Sequence, residues 1–222
     1  MPVPKVIEIR AARKPVTTRG LSRPVLVREL PDLPVLPETL VKLELAARER
    51  PIELARISEF ILSDPGAAIQ VMRLAAPNGA GDPHPQRMED CISSLGVQAC
   101  LDAMSKHLVI RCHRNLTLVE AWEHAALIAG LCERLAEEQI WHATPQDARW
   151  VGLCHEIGRL PEVLGWDLAG EPLIDLNLAG LLMAQAWSLP SCVVEYFSDL
   201  LNSNSDSPWT RIVHEAHQIA FR

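Results

Sequence analysis

Apolar residues recur at helical spacing through most of the chain, and strict alternation of apolar and polar residues is scarce. Helical patterns cover residues 37–48, 51–62, 65–75, 88–94, 98–112, 117–138, 145–156 and 178–186. Short apolar runs at 6–9 and 25–27 are weak strand candidates. The pattern therefore predicts an all-α fold from about Leu36 onward.

Capping residues and helix breakers mark several boundaries of these helices. Asp64 and Pro65 supply a cap and a first-turn proline before one helix. Thr117 and Glu120 have the spacing of a capping box for the long helix that follows. Glycine and proline are dense over 76–87, which predicts a loop.

An adjacent histidine and glutamate, His155 and Glu156, stand near the end of one predicted helix. Thr144 can cap this helix, and Gly158 and Pro161 are predicted to close it. An imidazole beside a carboxylate is typical of metal-dependent phosphohydrolases, in which such pairs hold ions that activate water. The same dipeptide is also compatible with a core histidine beside a solvated glutamate.

Short segments in a fixed order connect the chain to one known family. They are Leu-Pro-Asp-Leu-Pro at 30–34, Ser-Asp-Pro at 63–65, Val-Met-Arg-Leu-Ala at 71–75, Cys-Ile-Ser-Ser-Leu-Gly at 91–96, Trp-Glu-His at 122–124, Gly-Leu-Cys-His-Glu-Ile-Gly at 152–158, and Gly-Leu-Leu at 180–182 with Trp-Ser-Leu-Pro at 187–190. In these segments the chain resembles the HDOD family, a bacterial signalling domain. That family is related to HD hydrolases but usually lacks their metal site.

The resemblance implies an HDOD-like helical bundle in two lobes. An N-terminal helical lobe is expected over 30–115 and an HD-like lobe over 116–222, with a basic arm over 1–29. A short polar gap near Asn115 favours this boundary. Trp187 follows an unusually apolar helix and is predicted to be a core anchor of the HD-like lobe.

The resemblance also identifies four candidates for a vestigial metal site. They are His124, His155, Glu156 and His217. Leu176, Leu200 and Leu201 stand where active HD-type phosphodiesterases have histidines, and His217 stands where they have an aspartate. Leucine offers no lone pair, so a two-metal centre lacks ligands. We therefore expect no catalytic residue and no cofactor, with binding of a single metal by the four candidates as the weaker alternative.

Two functions from different classes follow from these residues. The first is a non-catalytic signal-transduction domain that binds a signalling protein or, as a further option, a small ligand. The alternative is a degenerate metal-dependent phosphohydrolase that acts on a nucleotide or a cyclic dinucleotide. The missing ligands favour the first function, and the sequence has no glycine-rich phosphate loop or nucleophile elbow to support another enzymatic class.

Charge is distributed unevenly between the arm and the remainder of the chain. Residues 1–28 contain seven basic residues and one acid, a net charge of +6, whereas the whole chain has a net charge of −7. The remaining residues therefore carry −13. An acidic body argues against nucleic acid as the main ligand. The arm lacks interleaved aromatic residues and an amphipathic period, so a membrane surface is not expected either.

The six cysteines form no Cys-x-x-Cys pair, and several lie within apolar helical patterns. This favours reduced thiols in the core. The sequence shows no apolar run of membrane-spanning length and no hydrophobic signal-peptide region. From these features we expect a cytoplasmic protein.

Overall fold

The computed structural model describes residues 33–75, 87–105, 116–138, 143–165 and 175–221. Within these ranges the chain forms helices and short connections without a β-strand, so the predicted all-α fold is confirmed. The strand candidates at 6–9 and 25–27 lie outside the described residues, as does most of the loop predicted over 76–87.

Five helices build the N-terminal lobe. They are α1 (Pro37–Arg48), α2 (Leu54–Leu62), α3 (Pro65–Ala75), α4 (Met88–Leu95) and α5 (Val97–Ser105). α2 starts three residues later than its apolar pattern predicts, because Glu53 has an extended backbone. Gly96 separates α4 from α5 at a φ of 85°, in the left-handed region that glycine tolerates best.

The HD-like lobe contains the remaining described helices. They are α6 (Leu116–Glu138), α7 (Pro145–Cys154), a 3₁₀ turn (Ile157–Arg159), α8 (Leu160–Val163), α9 (Leu176–Ala186), α10 (Ser191–Leu201) and α11 (Pro208–Ala220). α6 packs along α7 and α11, while α9 and α10 pack against each other. None of the described helices is both long enough and apolar enough to cross a bilayer.

Two predicted helix boundaries were wrong. α6 already includes Leu116, so Thr117 lies within the helix and does not cap it. α7 ends at Cys154, and Glu156 therefore lies beyond the helix that was expected to contain it. Pro161 does not close this helix but lies in the first turn of α8. Backbone N–H groups in a first turn have no acceptor within the helix, so proline is tolerated there.

Other boundaries agree with the side chains that predicted them. The Oγ1 atom of Thr144 accepts a hydrogen bond of 3.1 Å from the backbone N–H of Asp147, and Pro145 occupies the first turn of α7. Trp187 is 1% exposed, as expected of a core anchor. Among the described cysteines, Cys91, Cys100, Cys132, Cys154 and Cys192 are buried and free.

Close contact between α6 and α7 depends on Gly152. A Cβ atom at this position would lie 2.7 Å from the Cα atom of Ala129, which is closer than real side chains approach. The absence of a side chain thus allows α7 to approach the backbone of α6. His155 follows within one turn, so this contact sets the distance between His155 and α6.

The buried carboxylate of Asp64 connects three helices. Its Oδ2 atom accepts from the backbone N–H of Leu36 at 2.8 Å, at the start of α1. Its Oδ1 atom accepts from Ala67 N–H at 3.1 Å in α3 and from Trp122 Nε1–H at 2.9 Å in α6. Burial raises the pKa of Asp64, although these hydrogen bonds and one with Thr39 oppose the shift.

We predict that Asp64→Ala strongly destabilises the fold. The substitution leaves the buried donors of Leu36 and Trp122 without an acceptor, at about 1–3 kcal/mol for each. Urea unfolding of the variant and the wild type measures the change in the free energy of unfolding. Asp102→Ala is the matched control, because the Asp102 side chain is exposed and, among the described residues, accepts a hydrogen bond from exposed Gln98. Equal losses in the two variants would contradict the role assigned to Asp64.

Candidate functional site

Three histidines from three separate elements meet in the HD-like lobe. His124 lies in the third turn of α6, His155 follows the end of α7, and His217 lies in the last turn of α11. One ring nitrogen of each lies within 4.8 Å of the others. The structure thus brings together three of the four residues that the sequence singled out.

His155 is the most buried member of this histidine cluster. It is 7% exposed, and its Nδ1 atom lies 2.7 Å from the carbonyl oxygen of Gly152. A carbonyl only accepts hydrogen bonds, so Nδ1 carries the proton and donates it. The lone pair is therefore on Nε2, which is buried and has no hydrogen-bond partner among the described residues.

His217 is oriented in the same way. Its Nδ1 atom lies 2.9 Å from the carbonyl oxygen of Val213, which fixes the proton on Nδ1. Its Nε2 atom lies 3.2 Å from Nε2 of His124. Because Nε2 of a neutral His217 has only a lone pair, His124 must donate in this contact. Phe221 lies beside this pair, with its ring centroid 6.1 Å from that of each histidine.

Glu156 is near the cluster but is not a member of it. Its carboxylate forms an ion pair of 3.0 Å with the guanidinium of Arg159 on the following turn. Burial acts to raise the pKa of Glu156, but its electrostatic interaction with His155 in acid and its ion pair with Arg159 bring the pKa below its ordinary value. Glu156 is thus an ionised partner of Arg159 in the described arrangement.

The three leucines that replace expected ligands occupy ordinary helix positions. Leu176 starts α9, where its side chain is 49% exposed and its carbonyl oxygen lies directly over Gly158. Leu200 and Leu201 are partly buried at the end of α10. No leucine side chain can bind a metal, so these positions add no ligand to the histidine cluster.

A cleft of about 250 Å³ opens beside His124 and Glu156. Its lining comes mainly from the HD-like lobe, where Ala121 and Trp122 of α6 and Leu160 of α8 are among the apolar residues, and Pro65 at the start of α3 contributes from the N-terminal lobe. His124, Glu156, Glu120 and Arg159 supply the polar groups. The cleft lies mainly in the HD-like lobe, at its junction with the start of α3.

Arg149 joins the two lobes through an ion-pair network that the sequence did not predict. Its guanidinium contacts Glu59 of α2 through two hydrogen bonds of 2.8 Å and Glu133 of α6 at 3.2 Å. Arg149 is buried more deeply than either acid, with 13% of its side chain exposed. Three charged residues this far apart in sequence have no local pattern that would reveal the contact.

Burial controls the protonation of the histidine cluster. It lowers the pKa of His155 to about 4 from an ordinary value of 6.5, despite the hydrogen bond with Gly152 and the charge of Glu156, which act in the opposite direction. Burial also lowers the pKa of His124. Both imidazoles are therefore neutral near pH 7, and the neutral form is the one that binds metals.

The profile of the HDOD domain matches residues 33–164, well over half of the chain. The chain belongs to the HDOD family. The match runs from the residues before α1 through α8 and includes His124 and His155, whereas His217 lies beyond it. No curated protein sequence matches the chain.

Two crystal structures of the MmoQ response regulator from Methylococcus capsulatus strain Bath have a similar fold. The first has a TM-score of 0.63 at 17% sequence identity, over 86% of this chain and 89% of that chain. The second, of a fragment covering 20–298, has a TM-score of 0.59 at 18% identity, over 84% and 81% of the two chains. At this identity the likeness shows a shared helical fold.

We predict that His155 contributes to acid unfolding of the metal-free protein. Between pH 6.5 and about 4 the unfolded chain binds a proton at His155 that the folded chain does not bind. Stability therefore falls as the pH decreases through this window. Urea unfolding in EDTA at a series of pH values should show a shallower decrease for His155→Leu than for the wild type. Parallel pH profiles would mean that His155 has an ordinary pKa in the folded state.

Proposed function

We propose that the chain is a non-catalytic signal-transduction domain that acts by binding a signalling protein. The supporting observation is the composition of the histidine cluster. Among the described residues, the cluster consists of three imidazoles and contains no carboxylate. Two-metal hydrolysis of a phosphate ester uses two ions about 3.5–4 Å apart, held by several ligands from different elements. Three nitrogen ligands are too few for such a centre.

Nearby carboxylates do not complete a binuclear centre in the described arrangement. Glu156 forms an ion pair with Arg159, and Glu120 is an exposed residue on the wall of the cleft. The guanidinium of Arg159 would also repel a second cation beside Glu156. These contacts support a binding function in preference to the alternative of a degenerate phosphohydrolase.

The cleft between the lobes and the basic arm are the surfaces we assign to partner binding. The cleft combines an apolar lining, mainly from the HD-like lobe and with Pro65 from the N-terminal lobe, with a few charged groups, which is typical of a recognition pocket. A group bound there contacts α3 and α6 together and can alter the contact between the lobes. A small ligand could use the same cleft. The arm lies outside the described residues, and the charge of +6 that residues 1–28 carry is opposite to that of the body.

We place this function in the cytoplasm. The buried, unpaired thiols of the described cysteines are compatible with a reducing compartment, where disulfides rarely form. Burial also raises the pKa of each of these thiols, Cys91 to about 12 and Cys100 to about 11 among them. Such thiols are unreactive near neutral pH, so they are structural residues.

We predict that the purified protein does not hydrolyse phosphodiesters. The wild type, supplied with manganese, magnesium or zinc, should cleave bis(p-nitrophenyl) phosphate and cyclic dinucleotides no faster than His155→Leu does. The matched control is His214→Leu, because His214 is exposed on α11 and contacts Gln218. Turnover that is present in the wild type and in His214→Leu but absent from His155→Leu would establish the phosphohydrolase and contradict the proposed function.

We also predict that deletion of residues 1–28 weakens partner binding and leaves the fold intact. The deletion retains Leu33, Val35 and Leu36, which are buried against the core. The thermal midpoint should therefore change little, whereas capture of the partner from a lysate of the source cell should decrease and become more sensitive to salt. If the thermal midpoint falls by several degrees while the truncated protein still captures its partner normally, the arm belongs to the fold.

A further inference from the structure

The arrangement of the histidine cluster differs from that of ordinary buried histidines. His124 and His217 are 93 residues apart in the chain, and His155 lies between them in sequence. One ring nitrogen of each histidine nevertheless lies within 4.8 Å of the others. Ring centroids of the three pairs are separated by 5.2, 5.1 and 4.8 Å. The interplanar angles are 61°, 50° and 72°, so the rings meet by their edges and do not stack.

Backbone carbonyls fix the tautomers of two of these rings. Gly152 and Val213 each accept the Nδ1 proton of the histidine that lies on the same turn, and Nε2 of His155 and of His217 is left with its lone pair. Metal-binding histidines in proteins typically donate their second ring nitrogen to a carbonyl or carboxylate in this manner. His155 and His217 are thus already oriented as histidines are in metal sites.

Hydrogen bonding within the cluster leaves one nitrogen unsatisfied. A proton on His124 Nε2 satisfies the lone pair of His217 across 3.2 Å. Nε2 of His155 is buried and has no hydrogen-bond partner among the described residues. A buried acceptor without a partner destabilises the folded protein. A cation bound by the three nitrogens would supply the missing partner of His155 Nε2 once the proton of His124 moves from Nε2 to Nδ1, whereas a purely structural histidine cluster leaves that atom unsatisfied.

We propose that His124, His155 and His217 bind one zinc-class divalent ion through their Nε2 atoms. Imidazole ligands without carboxylates suit zinc, cobalt, nickel or copper better than magnesium or calcium. Zinc–nitrogen bonds of about 2.0–2.1 Å place neighbouring ligand atoms roughly 3.3–3.5 Å apart in a tetrahedron. The 3.2 Å contact between His124 and His217 is close to that spacing, and a ring nitrogen of His155 lies within 4.8 Å of both.

Three protein ligands leave a fourth coordination position for water or an anion. His124 lines the interlobe cleft, so a ligand in the cleft could reach a metal bound to it. The ion would also connect α11 to α6 and to the end of α7, since each element contributes one histidine. A single ion of this kind does not form a two-metal centre, and the proposal is independent of the proposed function.

Metal binding can be tested on the full-length chain. Protein treated with EDTA and desalted should take up one equivalent of zinc, measured by elemental analysis after gel filtration, and its thermal midpoint should increase. Cobalt should bind in the same stoichiometry and give the visible absorption bands of a tetrahedral or five-coordinate nitrogen site. His155→Leu and His217→Leu should lose the bound metal and the thermal increase.

His214→Leu is the matched control, because it removes an exposed histidine from the same helix as His217. This variant should retain one equivalent of zinc and the full thermal increase. Circular dichroism of each variant establishes that it is folded, and the cobalt spectrum of the wild type provides a readout that needs no variant.

Absence of zinc and cobalt uptake by the wild type would overturn the proposal, as would equal uptake by the wild type and a folded His217→Leu. Neither result affects the non-catalytic function. Conversely, phosphodiester turnover with bound zinc would contradict the proposed function and leave the metal site in place.

Discussion

The carboxylate of Asp64 is the interaction on which the arrangement of the helices depends. A buried anion in a protein interior is tolerated only when several donors surround it. Here those donors come from the start of α1, from α3 and from α6. Each donor loses its partner if its helix shifts, so the carboxylate fixes the N-terminal lobe against the first helix of the HD-like lobe. Trp122, the donor in α6, lies two residues before His124 and thereby connects this constraint to the histidine cluster.

Helix packing in the HD-like lobe then determines where the histidines meet. Gly152 allows α7 to approach α6, and its carbonyl oxygen also orients His155. α11 packs on both helices and brings His217 to the same place. The cluster is thus a product of tertiary packing, because none of its members is close to another in sequence.

Much of the fold could be predicted from the sequence, whereas the geometry of the candidate site could not. Local sequence signals were sufficient to predict α1, the Thr144 cap of α7 and the burial of Trp187. Thr117 was misassigned because a capping pattern also occurs within a helix that has already begun. The resemblance to a family identified His124, His155 and His217, but the unsatisfied Nε2 atom of His155 follows from packing that no pattern encodes. The ion pair that separates Glu156 from the cluster likewise depends on the turn after α7.

Arg149 determines the electrostatic cost of separating the two lobes. It contacts Glu59 across the junction and Glu133 within its own lobe. If the lobes part, the guanidinium retains Glu133 and never becomes an isolated charge in the protein interior. Glu59, whose side chain is already 61% exposed, passes into water at little cost. The Arg149–Glu59 ion pair therefore adds little to the cost of separating the lobes, and the buried hydrogen bond between Asp64 and Trp122 is the polar contact that holds them together.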